Sequence, residues 1–167
     1  MTEPKDPSVP VRERHAVRAL LRDPHQRVLL IKLFVPDTGR YVWLTPGGGI
    51  EGSESAEQAL QREVWEETGL QLQNNTGTHV WNRSAEFTFR GERLRQHEQF
   101  YLVEVAAFEP RGDLNPADNE SELLSEFRWW SAGDIQASSD YFAPRQLGNL
   151  LNALNQALPE TPLSVGW

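Results

Sequence analysis

The sequence predicts an α/β fold, a sandwich built on a mixed β-sheet, and three observations carry that expectation. Apolar residues recur at alternate positions in several short segments before and after one long amphipathic segment of helical period. The order is strands, one helix, more strands and a closing helix, whereas a doubly wound parallel sheet would alternate strand and helix throughout. At 167 residues, the chain suffices for one core-forming domain. We assign residues 13–167 to that domain and residues 1–12, rich in proline and poor in apolar side chains, to a flexible N-terminal arm.

The elements follow in order. Residues 16–21 and 28–35 read as strands joined by a turn at Asp23-Pro24-His25-Gln26, and Tyr41-Val42-Trp43-Leu44 is a short strand running into Pro46 and the glycines 47–49. A helix then begins at Ser53 or Ser55, carries Ala56, Leu60 and Val64 as its stripe to bury, and stops at Gly69. Residues 78–81, 85–89 and 99–105 return to strand patterning. Residues 113–125 are polar and turn-rich, and Phe127-Arg128-Trp129-Trp130 is a last strand. Ser131 starts a short helical turn, and residues 144–158 form a helix with Leu147, Leu150, Leu151, Leu154 and Leu158 on one side.

Composition narrows the function classes. The sequence has no cysteine, which excludes disulfides and thiolate metal sites. No apolar run approaches the about 20 residues of a membrane span, and the first ten residues do not have the make-up of a signal peptide, so the expected location is cytoplasmic. A net charge of −8 makes general nucleic-acid binding unfavourable, because that affinity comes from Lys and Arg on phosphates. The expected partner is a small phosphorylated molecule; no nucleic acid and no membrane are expected, and homodimerisation is left open.

The segment from Gly48 to Leu70 carries the chemistry. Glu63, Glu66 and Glu67 lie at i, i+3 and i+4, so one helix face gathers three carboxylates that repel one another. A hard cation would relieve that conflict, since Mg²⁺ takes carboxylate oxygens and leaves its other positions to water and phosphate. An isolated pattern of this kind is usually a solvated face, with Arg62 pairing Glu66. Here the whole stretch reads G48-x5-E54-x7-R62-E63-V64-x-E66-E67-x-G69-L70, nine fixed residues holding their spacing over twenty-three positions.

That stretch resembles the Nudix box at every fixed position. The resemblance implies an α/β/α sandwich and a Mg²⁺-dependent hydrolase, with Mn²⁺ as a substitute, that cuts a phosphoanhydride bond in a nucleoside diphosphate linked to another moiety (a nucleotide, nucleotide sugar or dinucleotide). It implies that Glu63, Glu66 and Glu67 bind the metal, that the Gly47 or Gly48 carbonyl adds a ligand, that Arg62 orients the glutamates, and that Glu54 steadies the loop. One departure is Ser53, where the family commonly has glycine. The general base is Glu63, Glu67 or a loop acid such as Glu120, Glu122 or Glu126. Residues 71–83 and 113–125 are the expected specificity loops, with Trp81 and Arg83 the candidate substrate contacts. A nucleotide-binding regulatory protein on the same fold is the alternative; such proteins often lose a box glutamate or the arginine, and this chain keeps all of them.

Two other readings of the glycines fail. Gly47-x-Gly49-x-x-Gly52 fits a dinucleotide fingerprint in form, but the ribose-binding acid is replaced by Leu72 and the rest of the βαβ context is missing. No Gly-Lys-Ser/Thr follows for a phosphate-binding Walker loop.

Overall fold

The structure is a computed structural model and describes residues 8–112 and 123–166. Its organising element is β1 (Val11–Arg22), which pairs in parallel with β6 (Glu92–Glu104) from Val11↔Arg93 through Arg22↔Glu104. β5 (Thr78–Phe89) is antiparallel to β6, and β8 (Leu163–Val165) is parallel to β5 at that edge. On the other side β2 (Val28–Val35) meets β1 at Arg22↔Val28, and then pairs with β3 (Arg40–Leu44) and with β7 (Leu124–Trp130). The edge of β1 that β2 leaves is taken by β4 (Gly47–Gly49), from Ala16↔Gly49 to Arg18↔Gly47. The sheet is therefore mixed, and β1 and β2 splay where the glycine segment enters.

Alternation along the strands puts a core on each face. Val17, Ala19 and Leu21 of β1 join Tyr101 and Val103 of β6 under Ala59, Leu60 and Val64 of α1 (Ala56–Thr68). Leu20, Leu30, Phe100 and Leu102 point the other way, to Trp43, Trp130, α2 (Ala132–Ala137) and α3 (Leu147–Gln156). One helix on one face and two on the other make the α/β/α sandwich. Leu151 of α3 is 1% exposed at the centre of the second core. Leu151→Ala is expected to cost about 2–5 kcal/mol through lost transfer energy and a residual cavity, read from urea unfolding curves. No helix among the described residues is long and apolar enough to cross a membrane.

Helix α1 is built by local chemistry. Ser55 accepts from the Gln58 amide, and the Gln58 side chain accepts from the Ser55 amide, so two orphan donors are satisfied reciprocally. Gly69 ends the helix at φ 80°, a left-handed cap that costs glycine little.

Several expectations need correction. Val11 and Arg12, placed in the arm, are already in β1, because the parallel partner β6 extends far enough to pair them. The segments 78–81 and 85–89 are one strand, since β6 pairs with residues on both sides of the break and between. Leu158 lies beyond α3 and is 53% exposed. The glycine strand β4 and the edge strand β8 were not anticipated. Residues 113–122 of the expected polar loop lie outside the described residues.

Candidate active site

The splayed gap between β1 and β2 brings the glycine segment against the carboxylate face of α1. Arg62 is the hub. Its Nε donates to Glu54 Oε2 at 2.8 Å and its Nη2 to Glu54 Oε1 at 2.9 Å, a two-point bond that fits a guanidinium to a carboxylate. Nη2 also donates to the Gly49 carbonyl at 2.9 Å, and Nη1 to Glu63 Oε1 at 2.8 Å and Glu66 Oε2 at 3.2 Å. Glu54 in turn accepts from the Glu51 amide at 2.9 Å, which closes the loop ahead of the helix. Hydrogen bonds to Glu54, and then Glu63, hold the Arg62 charge more firmly than usual against the opposing effect of burial.

Glu63 is 8% exposed and its carboxylate lies against Gly48, where an added Cβ would come within 2.6 Å of Oε1. Position 48 therefore has to lack a side chain for the carboxylate to sit there. Glu67 Oε2 accepts from the Gly47 amide at 2.8 Å. Gly47 itself adopts φ 150°, and a Cβ there would run into the Val17 carbonyl oxygen, so glycine is required for β4 to lie on β1. The three carboxylates of the α1 face are thus at hand, but no group of three among the described residues is gathered closely enough to hold a metal ion as it stands. Two of them are engaged by Arg62 and the third by the Gly47 amide. The donor set nevertheless fits a hard divalent cation: carboxylate oxygens, bare backbone beside them, and no sulfur.

Glu54 titrates below its ordinary 4.5, chiefly because Arg62 bonds its charged form, with burial opposing. A depressed carboxylate contributes stability fully above its unfolded pKa, and that contribution is lost as pH falls through the lower folded value. Thermal unfolding from about pH 7 down to about pH 3 is expected to show Tm falling in that acid window. Glu54→Gln is expected to remove part of the fall, the remainder belonging to other depressed acids such as Asp23 and Glu98.

The two candidate substrate contacts are elsewhere than expected. Trp81 is 1% exposed in the core, its ring 5.5 Å from that of Phe100. It belongs to β5, not to a loop, and packs with the α3 face. Arg83, two residues on, is ion-paired with the buried Glu98. Of the candidate loop bases, Glu120 and Glu122 lie outside the described residues. Glu126 is exposed on β7 opposite Lys32, and since Phe127 and Trp129 pack toward α1, alternation turns Glu126 to the other face.

Three residues that the sequence reading passed over stand beside the glycines. Arg14 lays its guanidinium on Gly49, where a Cβ would lie 2.6 Å from Nε, and it has no acidic partner among the described residues. Arg18 and Glu98 form a buried pair next to Gly47. The missed signal is phase: Arg18 shares a face with Leu20, and Glu98 with Phe100 and Leu102, so charges fall on the inward positions of core strands.

Comparisons with known proteins place these features in a family. A family model described as NUDIX domain matches residues 12–150. An RNA pyrophosphohydrolase of Shewanella pealeana is 29% identical over 102 residues, 56% of this chain and 58% of its own length. The chain thus spans little more than half of that relative. A MutT-like protein of Streptomyces ambofaciens is 28% identical over 160 residues, 95% of this chain and 88% of its own. Among solved structures, a MutT protein from Methanosarcina mazei Go1 shares the fold at TM-score 0.60 and 21% identity, covering 90% of this chain and 100% of that one. With the complete box set on this sandwich and the family model matching most of its length, the chain belongs to the Nudix family.

Proposed function

We propose that the protein hydrolyses a phosphoanhydride bond of a nucleoside diphosphate derivative with the help of Mg²⁺. The single observation that carries this reading is the Arg62 hub, which holds Glu54, Glu63 and Glu66 around bare glycine backbone with Glu67 alongside. Glu63, Glu66 and Glu67 would hold the cation, with the Gly47 or Gly48 carbonyl as a further oxygen. When bound, Mg²⁺ neutralises charge on the phosphoryl oxygens and acidifies water. Arg62 keeps the carboxylates oriented, and Glu54 anchors Arg62. Glu67 or Glu63 accepts a proton from the attacking water as its oxygen bonds to one phosphorus, the bridging P–O bond breaks, and the leaving phosphate departs with the electron pair. Arg14, whose guanidinium lies on Gly49 and has no acidic partner among the described residues, would donate to a phosphate oxygen there.

The names of several relatives, RNA pyrophosphohydrolases, favour a second substrate reading, in which the phosphates sit on an RNA end. The charge of −8 favours the small molecule, because a long polyanion would meet a repelling surface. The deciding experiment is a panel of ADP-ribose, nucleotide sugars, dinucleotides, nucleoside triphosphates and an oligoribonucleotide with a 5′ triphosphate. Each is incubated with Mg²⁺ or Mn²⁺, and products are identified by mass. Cleavage of the small molecules at the anhydride supports the proposal, and cleavage of the oligoribonucleotide alone shifts it to RNA. Cleavage of none sinks it in favour of a regulatory binding protein.

A further inference from the structure

The most buried charge cluster outside the box is Arg18–Glu98–Arg83. Glu98 is 4% exposed, yet it carries a carboxylate across the middle of the sheet. Arg18 Nε donates to Glu98 Oε2 at 2.5 Å, and Arg83 Nη1 donates to Oε1, so each oxygen has its own guanidinium. Burial alone would raise Glu98 above the usual carboxylate range, and the two cations outweigh it and hold the group lower, and so ionised. A carboxylate kept charged at this depth fixes the direction of Arg18.

The remaining donors of Arg18 show what that fixing achieves. Nη1 reaches the Thr45 carbonyl at 3.2 Å and the Gly47 carbonyl at 3.4 Å. Between those two, the Pro46 carbonyl accepts from the Ala19 amide at 2.7 Å. Three successive carbonyls of the segment entering the catalytic loop are thus gripped by β1 and its arginine. On the other side of the same glycine, the Gly47 amide donates to Glu67 Oε2 at 2.8 Å. A rotation of the 46–47 peptide would move that amide and with it the carboxylate.

We propose that Arg18 is a positioning residue: anchored by Glu98, it sets the conformation around Gly47 and so the placement of Glu67. This rests on the hydrolase reading above. It deepens that reading by assigning a role to a charge cluster that the Nudix box does not contain. Lysine at position 18 keeps the charge and one bond to Glu98, but a point donor cannot also hold the carbonyls.

Arg18→Lys and Glu98→Gln test it in the full chain. Each is expected to lower kcat by about tenfold or more, as small misplacements of reacting groups do, with KM changed little. Position 18 acts through Glu67, so in a Glu67→Gln background Arg18→Lys is expected to add almost no further loss, where an independent structural role would multiply. Hydrogen exchange supplies a readout without turnover: the Gly47 amide is expected to lose protection in both variants while the Ala59 and Leu60 amides of α1 keep theirs. Full kcat in both variants, a multiplicative loss in the double variant, or an unchanged Gly47 amide would each overturn the inference. If the wild type cleaves no member of the panel, the hydrolase reading fails, while the exchange experiment still decides whether Arg18 governs Gly47. Should Arg18→Lys fail to fold, Glu98→Gln carries the test, since it keeps the size of the side chain and removes only the charge.

Discussion

Glu67→Gln is expected to reduce kcat by about 10²–10⁴-fold, the range associated with losing a positioned acid–base group, while Tm stays within a few degrees of wild type. The fold survives because a glutamine amide oxygen can still accept the Gly47 N–H that Glu67 Oε2 accepts at 2.8 Å. Activity does not survive, because the amide neither takes a proton from water nor contributes a negative oxygen to a cation. Steady-state kinetics and thermal unfolding on the same preparation check both halves. A full-rate variant would remove Glu67 from the chemistry and with it much of the assignment.

The second large effect is at Arg62. Arg62→Ala deletes both bonds to Glu54, the bond to the Gly49 carbonyl and the contacts to Glu63 and Glu66 in one step. The carboxylates left behind repel each other, and Glu63 has little water to compensate it at 8% exposure. Removing one partner of a buried pair costs about 3–5 kcal/mol. The Arg62 side chain is 22% exposed, so a loss of about 2–3 kcal/mol is the expectation after solvent screening. The sign of the cation effect gives a sharper check. With the guanidinium gone, the three carboxylates have lost the cation that bonds to Glu63 and Glu66, so adding Mg²⁺ should raise the Tm of Arg62→Ala by more than it raises that of wild type. Equal shifts in the two proteins would show that the arginine and the cation do not address the same carboxylates. Arg62→Lys should fall between, since it restores charge without the two-point bond to Glu54.

What could be read from sequence divides along physical lines. Helix α1 and its acidic face were legible because their determinants are local: a capping box at Ser55 and Gln58, a glycine stop at Gly69, and carboxylates at helical spacing. The role of Arg62 as a hub was only half visible, because its strongest partner, Glu54, is eight residues away around a turn that helix periodicity does not describe. The strand Gly47–Gly49 was illegible, since glycine carries no strand preference and the pairing is imposed by the bare edge of β1. Trp81 and Arg83 were misplaced for another reason. Residues 71–83 are expected from sequence as a loop, but the turn at Arg90-Gly91 sets a register that pairs Phe89 with Glu92 and, counted outward, Arg83 with Glu98. Counting from that turn would have put Arg83 opposite a carboxylate and inside the sheet.

The central claim is that the Glu63, Glu66 and Glu67 face of α1, held by Arg62, works with a divalent cation to cleave a phosphoanhydride. Its most direct test is phosphorus NMR of the whole protein with ADP-ribose and GTP, first in excess chelator and then through a stepwise addition of Mg²⁺. Anhydride signals unchanged in chelator, and lost at a rate that rises with Mg²⁺ and saturates, are the predicted result. Cleavage at the same rate in chelator and in Mg²⁺ would contradict it.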